Sequence, residues 1–247
     1  MNGILRLWVA GFLVLAAAAA HADYDSGKKA YYAGDYAAAM REWRPLAEAG
    51  DADSQRGMGN IFKFGRGVEV DEEKAVMWYI RAARQGDMYA QHALGYMFDF
   101  GLGVPRDGLN RLRAQCLYLL SAKQGYAQAQ YNLYLLYREL GDSGKGNRWY
   151  YRALAQGQPG AMFEQGRAML WNPLVFDKTG AYMYLILSAK KDHKGAVEFL
   201  ARERAEANPK TKRVMAAAER RADAWRPKSE TRPAERPAVP EKCLPGR

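Results

Sequence analysis

Residues 87–125 read DMYAQHALGYMFDFGLGVPRDGLNRLRAQCLYLLSAKQG, and the residues before them, 51–86, read DADSQRGMGNIFKFGRGVEVDEEKAVMWYIRAARQG. Written one beneath the other, the two share an inner glycine (Gly59, Gly95), a Gly-x-Gly-Val turn (Gly65 to Val68, Gly101 to Val104) and a closing Gln-Gly (Gln85-Gly86, Gln124-Gly125). Residues 126–157, YAQAQYNLYLLYRELGDSGKGNRWYYRALAQG, form a shorter third copy. Gly50, Gly86, Gly125 and Gly157 thus close units 36, 39 and 32 residues long. A period of this size means stacked helix pairs, each burying its apolar face against the next. Such a stack is a surface for holding other molecules rather than an enzyme scaffold.

Within each unit the spacing predicts a helix A (about Ala52–Phe64, Ala90–Phe100, Ala127–Leu140), a glycine turn, and a helix B carrying Trp78-Tyr79, Leu117-Tyr118 or Trp149-Tyr150. Asp71 and Asp107 stand where a cap or first-turn acid favours the start of helix B. Glycine inside helix A costs about 1 kcal/mol against alanine, so Gly59, Gly95 and Gly166 imply close helix approach. Tyr134 takes that place in the third unit, where looser packing is expected.

The outer parts fit around these repeats. Residues 23–50 read as an entry hairpin joined at Gly34-Asp35, with Pro45 inside its second helix. Residues 51–194 hold the repeats, the last of them degraded, with WNPLVFD in place of the glycine turn. Residues 195–225 read as a capping helix pair whose apolar stripe is Val214, Ala218, Ala222 and Trp225. Residues 226–247, with five prolines and nine charges, read as a disordered basic tail.

Arg6, the apolar run Leu7–Ala20 and Ala20-His21-Ala22 fit a secretory signal cleaved before Asp23, with an uncleaved anchor as the alternative. The run is short for a membrane span. The expected location is periplasmic or secreted. Without residues 1–22 the chain carries +9, of which residues 201–247 supply +6. This charge suits an anionic lipid or cell-wall contact by the tail, and export argues against nucleic acid. Cys116 and Cys243 are the only cysteines. Whether they pair stays open. Cys116 falls at the helix position of Met77 and reads as a small buried hydrophobe, Cys243 as part of a mobile tail.

The in-register residues Ala90-Gln91, Leu94-Gly95, Phe98, Gly101-Leu102-Gly103-Val104 and Asp107, with Lys74-Ala75, Trp78-Tyr79, Ala82-Ala83 and Gln85-Gly86, resemble the Sel1-like repeat family of tetratricopeptide-type solenoids. The resemblance covers roughly residues 50–192. It implies an all-α right-handed α-solenoid of helix-turn-helix repeats, with helix A lining the concave side, in adaptors and scaffolds. The signal segment and final helix look like the exported bacterial form.

Other motifs carry less. Lys178-Thr179-Gly180, with Ser26-Gly27-Lys28-Lys29 and Ser188-Ala189-Lys190-Lys191, matches lactamase elements, but no Ser-Asp-Asn or strand pattern accompanies them. The Gly-x-Gly turns follow helices, unlike phosphate loops. His92 and His193 stand alone, without metal-ligand spacing. Trp78, Trp149, Phe62, Phe98 and Tyr137 read as inter-layer core. The positions one, five and eight residues after each Gln share a helix face and vary between units: Arg56, Asn60, Lys63; His92, Tyr96, Asp99; Tyr131, Leu135, Arg138; and Phe163, Arg167, Leu170 in the degraded unit. This mixture of aromatic, basic and apolar residues suits an extended peptide or helix. The resulting expectation is a monomeric, non-catalytic scaffold with a protein or peptide partner and no cofactor or metal.

Overall fold

The computed structural model describes residues 23–229, 237 and 239–244, and the expected export segment, residues 1–22, lies outside them. Twelve α-helices and no strand occur among the described residues: α1 (Tyr24–Ala33), α2 (Tyr36–Glu48), α3 (Ala52–Phe64), α4 (Glu72–Arg84), α5 (Met88–Phe100), α6 (Asn110–Lys123), α7 (Ala127–Glu139), α8 (Ser143–Ala155), α9 (Pro159–Trp171), α10 (Lys178–Ala189), α11 (Lys194–Glu206) and α12 (Pro209–Ala224). The fold is an all-α solenoid of helix pairs packed in chain order, and the chain divides into two compact units at Ser121/Ala122 within α6.

In the first unit, the repeated residues each make a repeated contact. Gly59 lies under the Tyr79 ring and Gly95 under the Tyr118 ring, where an added Cβ would come within 2.6 Å and 2.9 Å of ring carbons. Both tyrosines are fully buried. Their hydroxyls reach back to helix A, Tyr79 donating to Asn60 Oδ1 at 2.7 Å and Tyr118 to Asp99 Oδ2 at 3.4 Å. The inward member of each aromatic pair is therefore the tyrosine. Contrary to expectation, Trp78 and Trp149 are only half-buried, covered by Arg81 and Arg152 stacked at 4.6 and 5.0 Å; Phe98 and Tyr137 are core as expected.

The first glycine of each turn closes a helix in the left-handed region, Gly65 at φ 62° and Gly101 at φ 69°. The second has a further reason. A Cβ on Gly103 would lie 2.4 Å from the Glu72 carbonyl carbon, so the turn rests on the backbone of the preceding repeat. Asp71 caps α4 by accepting from Lys74 N at 2.9 Å. Asp107 does not cap α6; it precedes the helix and binds Arg113 Nη1 at 2.7 Å.

The repeated glutamines tie one repeat to the next. Gln55 Nε2 donates to the Ala47 carbonyl at 3.0 Å, Gln91 to Ala83 at 3.4 Å, and in the second unit Gln130 to Ala122 at 3.1 Å. The Gln of the Gln-Gly ending completes the tie, Gln85 donating to Gln55 Oε1 and Gln156 to Gln130 Oε1, both at 2.8 Å. The amides satisfy carbonyls at a helix C-terminus, the groups a helix leaves without internal partners.

The second unit departs from the pattern where Tyr134 replaces the inner glycine. Tyr134 fills the space over helix B, its ring 4.9 Å from that of Tyr150, whose hydroxyl turns forward to the Ala161 carbonyl and Gln165. The expected loosening is instead a redirection. The stripe of α12 is buried as predicted, with Ala218 and Ala222 in the core and Val214 and Trp225 packed against it.

The tail differs most from expectation. Residues 239–244 include a 3-10 turn, Glu241–Cys243, with Val239, Cys243 and Leu244 buried in the first unit. Cys116 and Cys243 form a disulfide with Cα atoms 5.7 Å apart. Arg113 Nε donates to the Leu244 carbonyl at 3.2 Å, and Gln91 Nε2 to that of Pro237 at 3.1 Å. Cys116 is thus no inert core residue. Its repeat equivalent, Met77, is 54% exposed, so this helix position faces outward and the returning tail covers it at Cys116.

Candidate functional site

The sequence-selected residues fall into two groups by what holds them. In the first unit, Arg56 bonds the Tyr24 hydroxyl at 3.1 Å and pairs with Asp53 at 2.7 Å and with Asp87, the cap of α5. Burial pushes the Asp87 carboxyl up while Arg56 opposes that rise. Asn60 and Asp99 receive the tyrosine hydroxyls described above. These three side chains join helices.

His92, Lys63 and Tyr96 present a different surface. His92 lies 5.7 Å from Tyr118, and burial, with the nearby Lys63 charge, pushes its pKa down to about 4. It is neutral at pH 7. Lys63 stacks over Tyr96 at 4.4 Å; burial lowers its pKa, and no carboxylate lies within ion-pair distance among the described residues. Tyr96 also packs on Phe100, which is 61% exposed.

In the second unit Tyr131 and Tyr134 donate to opposite oxygens of Glu164, at 3.1 and 2.9 Å, and Arg138 pairs with Glu164 at 3.1 Å. Glu164 follows Phe163 on α9 and escaped the sequence reading, which counted only positions one, five and eight after the glutamine. Tyr131 also covers Gly160, where a Cβ would approach its ring at 2.5 Å, so this tyrosine cements α7 to α9. Leu135 and Leu170 are half-buried on the same helices.

Phe163 and Arg167 open instead onto a cleft of about 420 Å³ between α9 and α11. Phe163 meets His193 at 4.7 Å and Phe199 edge-on at 6.5 Å, forming its apolar floor. The Arg167 guanidinium stacks on Trp171 at 4.1 Å and on Phe163 at 5.3 Å. Trp171, 65% exposed, Phe199 and Arg202 also line the cleft and are not among the residues the sequence points to, which places α11 in the capping pair.

Lys178-Thr179-Gly180 forms the first turn of α10, capped by Asp177 accepting from Gly180 N at 2.7 Å. Ser188 Oγ is spent on the Pro159 carbonyl at 2.7 Å. Among the described residues no cluster of three or more His, Cys, Asp or Glu could hold a metal ion, and no helix is long and apolar enough to cross a membrane.

Residues 52–87 and 89–126 match the family model of the Sel1 repeat. The chain is similar to the crystal structure of a Sel1 repeat protein from Oxalobacter formigenes, at 25% identity and TM-score 0.62, covering 81% of this chain and 84% of that one. It is also similar in fold to a protective antigen of uropathogenic Escherichia coli strains displaying an SLR fold, at 24% identity and TM-score 0.58. That match covers 81% of this chain and spans 45% of the antigen's length. No curated protein matches the chain. Residues 52–87 and 89–126 are thus Sel1 repeats, set in a fold shared with Sel1 repeat proteins. Solenoids of this kind are commonly scaffolds for protein interaction and typically non-catalytic.

Proposed function

We propose that this Sel1-like repeat protein is an exported, non-catalytic scaffold that holds a protein or peptide on the faces of its A helices, α3, α5, α7 and α9. One observation carries the reading. In each of the two compact units a helix A cation lies on a partly exposed aromatic ring with no carboxylate partner among the described residues, Lys63 on Tyr96 and Arg167 on Trp171. Rigid aromatic rings beside a weakly solvated cation are the surface chemistry that interfaces favour. Export rests on residues 1–22 of the sequence, and a mature chain beginning at Asp23 by intact mass is its test.

The test of binding is partner capture from the envelope fraction by wild type and by Tyr96→Ala with Trp171→Ala. Neither side chain is buried, so helix content should persist while capture is lost. A contact made by the basic C-terminal end with anionic lipid or cell-wall polymer is the competing reading. It would weaken steeply with ionic strength and survive the double substitution. Two basic groups of residues 201–247 are already paired, Arg204 with Glu219 at 3.1 Å and Arg221 with Asp177 at 2.9 Å.

A further inference from the structure

The cleft between α9 and α11 holds a cation, Arg167, that is in no ion pair among the described residues. Phe163, Arg167 and Trp171 follow one another at four-residue spacing on α9 and so share a face. Of the A-helix arginines on the predicted face, Arg56 pairs with Asp53 and Asp87, and Arg138 with Glu164. Arg167 has no ion-pair partner among the described residues, and its Nε–H is buried without an acceptor. A buried donor of a charged group left unpaired is costly. The stacking on Trp171 and Phe163 accounts for the guanidinium lying over the rings and leaves the Nε–H without an acceptor.

The opposite wall limits what the cleft accepts. Glu203 is already engaged as acceptor of the Tyr182 hydroxyl. Glu206 lies further along α11 on the same cleft, while Arg202 adds a second cation. Two carboxylates beside two guanidinium groups on the lining leave no net positive charge to attract a polyanion. A single carboxylate placed at Arg167 gains a planar, hydrogen-bonding partner. The Phe163–Phe199 floor then takes an apolar side chain beside it. The volume of about 420 Å³ is of the size that encloses such a pair rather than a whole folded surface.

We propose that this cleft is the subsite for one acidic side chain, flanked by an apolar residue, in an extended peptide segment of a protein partner. The proposal rests on the peptide-scaffold reading above and names the chemistry it selects.

The probe is a pair of N-acetylated, C-amidated heptapeptides, Ser-Gly-Leu-Glu-Phe-Gly-Ser and its Gln counterpart, titrated to several millimolar into the isotope-labelled full chain. The Trp171 indole N–H resonance, assigned by its loss in Trp171→Phe, reports the cleft. The Glu peptide should shift it saturably and the Gln peptide at least tenfold more weakly. Arg167→Met should bring the Glu peptide down to the Gln level with helix content unchanged, and Arg167→Lys should retain part of the difference. Equal affinity for the two peptides, or no saturable shift with the Glu peptide, overturns the proposal, whichever variants fold. Movement confined to signals from α3, α5 and α7 would leave the broader scaffold reading standing and remove this cleft from it.

Discussion

Gly59→Ala pits two effects of known sign against each other. Helix propensity favours alanine by about 1 kcal/mol in a helix interior. Against this, the new Cβ would lie 2.6, 2.7 and 3.0 Å from three carbons of the Tyr79 ring. Carbon atoms rest at about 3.5–4.0 Å, so the ring must retreat by roughly 1 Å. Tyr79 is fully buried, which leaves it no space to do so, and its hydroxyl holds Asn60 at 2.7 Å. Overpacking of this kind costs about 1–3 kcal/mol, and stretching the hydroxyl contact about 1 kcal/mol more. The net expectation is a loss of about 2 kcal/mol. Gly144→Ala in α8 is the control, because a Cβ there meets only Asp142 Oδ1, at 3.9 Å; it should stabilise by about 0.5 kcal/mol. Denaturant unfolding measures both. Combining Gly59→Ala with Tyr79→Phe should be less destabilising than the sum of the single changes, since both act on one hydroxyl contact. If Gly59→Ala stabilises the chain as Gly144→Ala does, the close glycine–tyrosine contact is not what holds the repeat.

Cys243→Ser should lower stability by about 3–5 kcal/mol, the range for opening a long disulfide-closed loop; here the cysteines are 127 residues apart. A reductant should lower the melting temperature of the wild type and leave that of the variant unchanged. His92 should make stability pH-dependent: because the folded chain holds it neutral down to about pH 4, its contribution is complete above about pH 6.5 and is lost as pH falls from 6.5 to 4, by up to about 3 kcal/mol. His92→Gln should flatten that stretch of the stability–pH curve relative to wild type. Gly103→Ala should exceed Gly59→Ala in cost, since its Cβ would strike the backbone of Glu72 rather than a side chain, at a residue with φ 60°.

The repeat architecture was legible because its contacts recur at fixed spacing. Glycine under a tyrosine, glutamine on a helix-end carbonyl and glycine in the turn each leave a residue type that repeats with the fold. What the sequence hid is what does not repeat. Trp78 and Tyr79 are neighbours on one helix, and composition does not say which of the two points inward. The Cys116–Cys243 bridge joins segments with no local sign of each other, and proline-rich composition hid the short apolar anchor Val239–Leu244. On the candidate faces, Phe163 and Arg167 were found by their helical spacing. Trp171, Phe199 and Arg202 were not, because their cleft is completed by a helix that lacks the repeat motif. Arg56 and Asn60 varied between repeats as a binding residue would, yet they vary because each repeat solves its own internal pairing.

Site-specific photocrosslinking in cells making the protein at native level tests the scaffold reading most directly. A photoreactive phenylalanine analogue at Tyr96 or Trp171, on A helices, should yield a discrete protein adduct. The same analogue at Met77 or Tyr151, exposed by 54% and 60% on B helices, should yield none. Adducts at positions 77 and 151 with none at 96 and 171 would contradict recognition through the A-helix faces.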